Sequence, residues 1–253
     1  MPSTVFVFAH QDDEFGVYPV IETAVRNSER VVCLYLTNGV YTGQSSARRN
    51  AESLSVLSKL GVAVGDVHFV GEAITIRDGA LHGHLHSALE SAAAVVSSLG
   101  EISALYILAW EGGHQDHDAV HLIGLALARR LGILDRTRQF SLYHGAGLPW
   151  VFFKVLAPLE ANGNICRVSV PLRDRLRYLK FYLSYRSQAG TWVGLFPFVL
   201  VAYLFGTQKL QPVDISRVHH KPHEGRLLYE RRGLLSYKEF LAKMGPFVAV
   251  NFW

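Results

Sequence analysis

The apolar positions of this chain fall into short continuous runs with helical spacings between them. Val5-Phe6-Val7-Phe8, Val31 through Leu36, Val67 through Val70 and Ala104 through Trp110 show little alternation, which predicts strands buried on both faces. In the intervening segments, 15–27 places Val17, Val20, Ile21 and Ala24 on one helix face, 46–60 runs into Gly61 as a stop, and 85–99 and 117–131 repeat the helical spacing. Strand alternates with helix. The pattern predicts an α/β fold, a Rossmann-like three-layer sandwich around a mainly parallel sheet. Farther along, 139–144 reads as a fifth strand ending at Gly145, 167–171 as another, and 173–187 as an amphipathic helix.

Two of the strands end in chemistry. The first runs directly into Ala9-His10-Gln11-Asp12-Asp13-Glu14, and the fourth into Glu111-Gly112-Gly113-His114-Gln115-Asp116-His117. In open parallel sheets ligands bind beyond the carboxyl ends of the strands, so both stretches stand where a site is built. His10 and Asp13 can converge on one metal ion at a strand-to-helix turn, leaving Asp12 free as a general base. His117 can complete the set while His114 polarises a carbonyl oxygen. His121 is one helical turn beyond His117 and could ligate with it, so spacing alone leaves the trio open. His144, at the end of the fifth strand, is placed to join a pocket as a substrate contact. Arg49 and Glu52, on one helix face, read most simply as an ion pair. His82, His84 and His86 read as the start of a surface helix.

At these residues the chain resembles the zinc-dependent N-deacetylases related to N-acetylglucosaminyl-phosphatidylinositol deacetylase and to the mycothiol-pathway deacetylases, the PIG-L/LmbE-like group. The family motifs Ala-His-Pro-Asp-Asp-Glu and Gly-His-Pro-Asp-His stand here as residues 9–14 and 113–117, with Gln11 and Gln115 in place of proline. Losing proline is expected to loosen the loops without removing a ligand. The resemblance implies one zinc ion on His10, Asp13 and His117, which decides against His121. It also implies Asp12 as general base, His114 with Asp116 in the catalytic group, and Arg49 as a substrate-contacting or bracing residue. Thr37-Asn38-Gly39 and the 180–188 stretch also resemble family segments, extending the match to about residue 190. The implied reaction is removal of the N-acetyl group from an amino sugar or sugar conjugate. Alternatives are a non-sugar amide, such as a thiol conjugate or antibiotic precursor, and a non-catalytic sugar- or lipid-binding protein. His with carboxylate also suits other divalent metals.

Composition narrows the partners. The chain has 253 residues, 49% hydrophobic and 18% charged, which suits a deacetylase-like domain over 1–190 with a C-terminal extension over 191–253 packed on it. Two cysteines and no signal-peptide pattern point to the cytoplasm as the expected compartment. A formal net charge of +4 without interleaved aromatic and basic residues argues against nucleic acid. The basic clusters, over 167–180 and 217–232, read first as solvated faces, the sharper alternative being attraction to a phosphate- or lipid-bearing substrate or to an anionic membrane surface. Residues 192–206 are nearly all apolar but too short to span a bilayer, and Pro197 interrupts them. They read as a buried core segment, with peripheral membrane contact as the functional alternative. No Gly-x-Gly-x-x-Gly loop follows the first strand, which disfavours a nucleotide-binding role. Oligomeric state is not legible.

Overall fold

The computed structural model describes all residues except Thr42 and Gln44, together with the side chain of Thr191. Five parallel strands form its centre: β1 (Ser3–Phe8), β2 (Arg30–Tyr35), β3 (Val67–His68), β4 (Ile102–Leu108) and β5 (Thr137–Phe140). A two-stranded ribbon pairs β6 (Tyr143–His144) with β7 (Lys154–Val155), while β8 (Cys166–Val168) and β9 (Gln208–Pro212) complete the main sheet. The sheet order is β3-β2-β1-β4-β5-β9-β8, with β9 antiparallel to both neighbours. From β1 the chain winds outward through β2 and β3, and from β4 it winds the other way. Adjacent strands β1 and β4 therefore flank the switch point, where the loops leave a crevice.

The helices are α1 (Tyr18–Arg26), α2 (Ser46–Lys59), α3 (Val70–Ala73), α4 (Leu85–Ser97), α5 (Gln115–Leu131), α6 (Leu172–Phe181), α7 (Ala189–Phe205), α8 (Leu228–Arg231) and α9 (Tyr237–Phe252). Every residue of β1 is buried, with Val5 in register with Val32 on one side and Leu105 on the other. Across the sheet Phe6 stacks on Tyr106 at 4.9 Å and Phe8 meets Phe140 edge-on at 6.1 Å. Residues beyond 190 are structurally integral, because β9 pairs with β5 and α9 packs against α4 and α5.

Several elements depart from the sequence expectation for identifiable reasons. The 67–70 run pairs for only two residues and then turns into α3, where Gly71 presses so closely on the Leu36–Thr37 backbone that a side chain would collide with it. The fifth strand ends at Phe140 because the Glu111 carboxylate takes the N–H groups of Leu142 (2.8 Å) and Tyr143 (3.0 Å), diverting the chain into the separate ribbon. The helix expected over 173–187 stops at Phe181 and continues as two short 3-10 turns, the second held where Ser187 bonds Glu52. Pro197 does not interrupt α7. The carbonyl it leaves without a donor belongs to Val193, which is 79% exposed, so water can take it. Nor is α7 a buried core segment, since one side of it faces out. Among the described residues no helix is long and apolar enough to cross a membrane.

Candidate metal centre

The two motifs leave β1 and β4 side by side at the switch point. Asp13 opens a 3-10 turn and folds back over the strand end, its Oδ2 accepting the N–H groups of Ala9 (2.9 Å) and His10 (2.8 Å). The same carboxylate lies 3.7 Å from His10 Nδ1 through Oδ2 and 3.2 Å from His117 Nε2 through Oδ1. Burial alone would raise the Asp13 carboxyl; His117 and His10 outweigh it and hold it well below the usual range.

His114 caps α5. Its Nδ1 accepts the Asp116 N–H at 3.2 Å, so the neutral ring carries its proton on Nε2. Burial, reinforced by the charge of His10, pushes its pKa down to about 4, and the ring is neutral at physiological pH. Its Nε2 lies 3.8 Å from Asp78. His114 is thereby a donor with no free lone pair on the side of the cavity it lines.

Asp12 sits at φ 124°, ψ −13°, a backbone conformation costing a residue with a Cβ on the order of 1–3 kcal/mol. Its N–H is held by Glu14 Oε2 at 2.9 Å, and Glu14 in turn accepts from the Tyr185 hydroxyl at 2.7 Å. Arg49, 3% exposed, reaches in from α2 to bond the carbonyls of Gly39 and Gln11 and to meet Asp12 Oδ1 at 3.3 Å. Burial pushes the Asp12 carboxyl up to about 8 despite the opposing pull of Arg49. The simple Arg49–Glu52 pair is not formed. Glu52 instead accepts from Ser187 and meets Arg48 at 3.3 Å. Gln11 does not loosen its loop either: it is fully buried and donates to Asn50 Oδ1 at 2.6 Å, tying the motif to α2.

His10, Asp12, Asp13, Arg49, His114 and His117 all line one cavity of about 340 Å³, walled farther out by Phe15, Tyr41, Gln188, Leu195, Arg232 and Leu234. Asp116 does not line it. That carboxylate is fully buried, 3.1 Å from His10 Nε2, and accepts the N–H groups of Gly79 (2.6 Å) and Leu81 (3.0 Å), so it orients His10 and does not face substrate. His144 also falls outside. Its Nδ1 accepts from Ala146 N and its Nε2 donates to the Ala157 carbonyl at 2.6 Å, which uses both ring nitrogens in the ribbon. His121 bonds the Leu108 carbonyl at 2.9 Å, beside Trp110, and is not in the cavity wall.

Two residues that contact the histidine cluster itself escape sequence reasoning. Asp78 lies 3.2 Å from His10 Nε2 and 3.6 Å from Arg49, and only the turn dipeptide Asp78-Gly79 marks it in the sequence. Tyr143, next to His144 but on the opposite side of the ribbon strand, packs edge-on to His117 at 5.3 Å, and burial pushes its phenol pKa up.

The donor set fits a metal ion. Donor atoms of His10, His114 and His117 all lie within 4.8 Å of one another, and Asp13 touches two of the three. His10 Nε2 faces Asp116, which frees Nδ1 as a ligand in the carboxylate–histidine arrangement common at metal sites. Asp13 turns open lone pairs toward both His10 and His117, while His114 keeps its proton on the nitrogen that the Asp116 N–H does not occupy. Two imidazoles and a carboxylate suit zinc. The negative charge of Asp13 and Asp78, both held below the usual carboxylate range, suits a dication.

A doubly wound sheet with such a donor trio at its switch point, beside a carboxylate and a neutral imidazole, defines a metal-dependent hydrolase. Residues 5–128 match the family described as PIG-L: GlcNAc-PI de-N-acetylase. The chain carries a PIG-L family domain and is a metal-dependent deacetylase. No curated protein matches it significantly. Among solved structures, it is similar to a deacetylase triple mutant from the teicoplanin biosynthetic pathway, with 17% identity, TM-score 0.64, and coverage of 84% of this chain and 98% of that one. It is also similar to the A40926 pseudoaglycone deacetylase Dbv21 (20% identity, TM-score 0.62, 83% and 96% covered). A third is the N,N'-diacetylchitobiose deacetylase from Pyrococcus horikoshii (15% identity, TM-score 0.55, 84% and 82% covered). At these identities the likeness shows a shared fold.

Proposed function

We propose that this deacetylase removes the acetyl group from an N-acetylated amino sugar or amino-sugar conjugate, with zinc held by His10, Asp13 and His117. The observation that carries the reading is the convergence of Asp12 and the Nε2–H of His114 on the cavity that holds the metal-type trio. The family description and the chitobiose deacetylase likeness support a sugar amide. The wall residues Leu195 and Arg232 support a conjugate whose attached group is apolar or anionic, such as lipid or phosphate.

When bound, zinc would polarise the acyl carbonyl and lower the pKa of water in the cavity. Asp12 takes the proton from the attacking water and delivers it to the leaving amine. The raised pKa of Asp12 suits a group that must both accept and release that proton near neutrality. His114 donates Nε2–H to the developing oxyanion, for which a neutral ring with a fixed tautomer is the required form. Arg49 braces the strained Asp12 backbone, and Asp116 aims His10. A pure binding site has no need of Asp12 in so constrained a conformation, which weighs against a non-catalytic role.

The test is acetate release by zinc-loaded protein from free, phosphorylated, nucleotide-linked and lipid-linked N-acetylamino sugars. Turnover of at least one class is expected, and Asp12→Ala should lower kcat by about 10²–10⁴-fold while retaining zinc. Full zinc occupancy with no turnover of any sugar would remove the sugar assignment.

A further inference from the structure

The most apolar element of the chain is half exposed. α7 contains no charged residue from Ala189 to Phe205; Trp192, Leu195, Val199 and Tyr203 form its inner stripe, while Val193, Phe198, Val201 and Phe205 are 79%, 44%, 58% and 84% exposed. A helix apolar all round is ordinarily covered on every side, and an outward apolar face of this length is the informative exception. The face continues beyond the helix. Phe198 packs on Phe153 at 5.1 Å, and the segment leading to Phe153 exposes Trp150 by 82%, Val151 by 49% and Phe152 by 55%.

Cations edge this surface. Arg186 shares a hollow with Val193 and Phe196, and Arg226 and Arg231 share another with Trp150 and Val151. From residue 175 to residue 213 the sequence has no Asp or Glu. The surface also adjoins the reaction cavity, because Leu195 and Arg232 line both that cavity and a side hollow of about 200 Å³ with Tyr143, Phe153 and Gly194. It lies outside residues 5–128, the part matched by the family.

We propose that this face docks on an anionic lipid surface, with α7 lying in the headgroup region and the cavity mouth held against the membrane. The charge pattern selects this occupant over a second copy of the chain. In a two-fold contact the patch meets a second copy of itself, one cation-edged apolar face on another, with no acidic residue of α7 to pair the arginines. An anionic bilayer pairs with them instead, and accepts Phe, Val and an exposed Trp at the boundary of its acyl region. Too short to span, α7 binds from one side.

The test needs no catalytic turnover, so it can fail or succeed independently of the sugar reading. Full-length protein is sedimented with vesicles of phosphatidylcholine alone and with vesicles in which about a third of the lipid is phosphatidylglycerol. Expected is salt-sensitive binding to the anionic vesicles, weakened about ten-fold or more by Val201→Glu with Phe205→Glu. Both positions face outward, so circular dichroism and melting temperature should match wild type. Absence of vesicle binding, equal binding by the double variant, or equal salt-insensitive binding to neutral vesicles would each overturn the proposal. So would a dimer in sedimentation velocity that the double variant dissolves, with no lipid binding.

Discussion

Asp116 and His114 share one motif and divide its work. Asp116, sealed beneath the cavity, bonds His10 and two backbone N–H groups, whereas His114 presents its protonated nitrogen to the reaction space. Asp116→Asn should therefore weaken zinc by about 10–100-fold, read by chelator competition, because an amide cannot orient His10 in the same way. His114→Ala should instead leave zinc content unchanged and lower kcat by about 10²–10³-fold, read by acetate release. The motif residues were legible because each cluster is contiguous in sequence at a strand end. Asp78 and Tyr143 were not, since each reaches the cavity alone from a loop or ribbon whose course the local pattern does not specify. Between the neighbours Tyr143 and His144 the strand end identified the segment and not the face that points inward.

At the scale of elements, the loops between strands and helices are set by close approaches that depend on distant segments. Gly113 packs so tightly against Tyr143 that a Cβ would run into its carbonyl oxygen. Gly113→Ala should force the His114 loop and the β6 strand apart at a cost of about 1–3 kcal/mol. It should lower the melting temperature by several degrees, and also kcat, because both sides of the contact carry cavity residues. Loss of stability without loss of activity would show that the loop relaxes elsewhere. The same dependence on partners explains why strand and helix existence followed from periodicity while their ends did not. Glu111, 31 and 32 positions before the two residues it holds, terminates the fifth strand. Glu52 likewise draws Ser187 into a short turn where helical spacing alone would continue.

For the whole molecule, Glu111 also sets a pH dependence. Burial pushes its carboxyl up to about 8, although Ser141, Leu142 and Tyr143 all donate to it and pull the other way. The folded chain then keeps a proton that the unfolded chain releases near the ordinary glutamate pKa, so the stability that Glu111 contributes falls as pH rises from about 5 toward 8. His114, His121 and His144, which burial holds down to about 4, act in the opposite sense up to about pH 6.5, so the contribution of Glu111 is read as a difference: relative to wild type, Glu111→Gln, which does not titrate, should gain in melting temperature as pH rises from about 5 to 8.

The sequence by itself determined the alternation of buried strands and helices, the parallel sheet, and most of the ionisable groups that line the candidate site. These are properties of local patterning, because a strand buried on both faces must be apolar throughout and a reactive group must stand where it ends. The tertiary structure alone decided which groups meet. It turned Arg49 from a surface pair into the brace of Asp12, brought Asp78 over His10, withdrew His144 and Asp116 from the cavity wall, and left α7 facing outward. Those outcomes rest on contacts between residues tens of positions apart, whose geometry depends on the sheet order and on the backbone turns that join its strands.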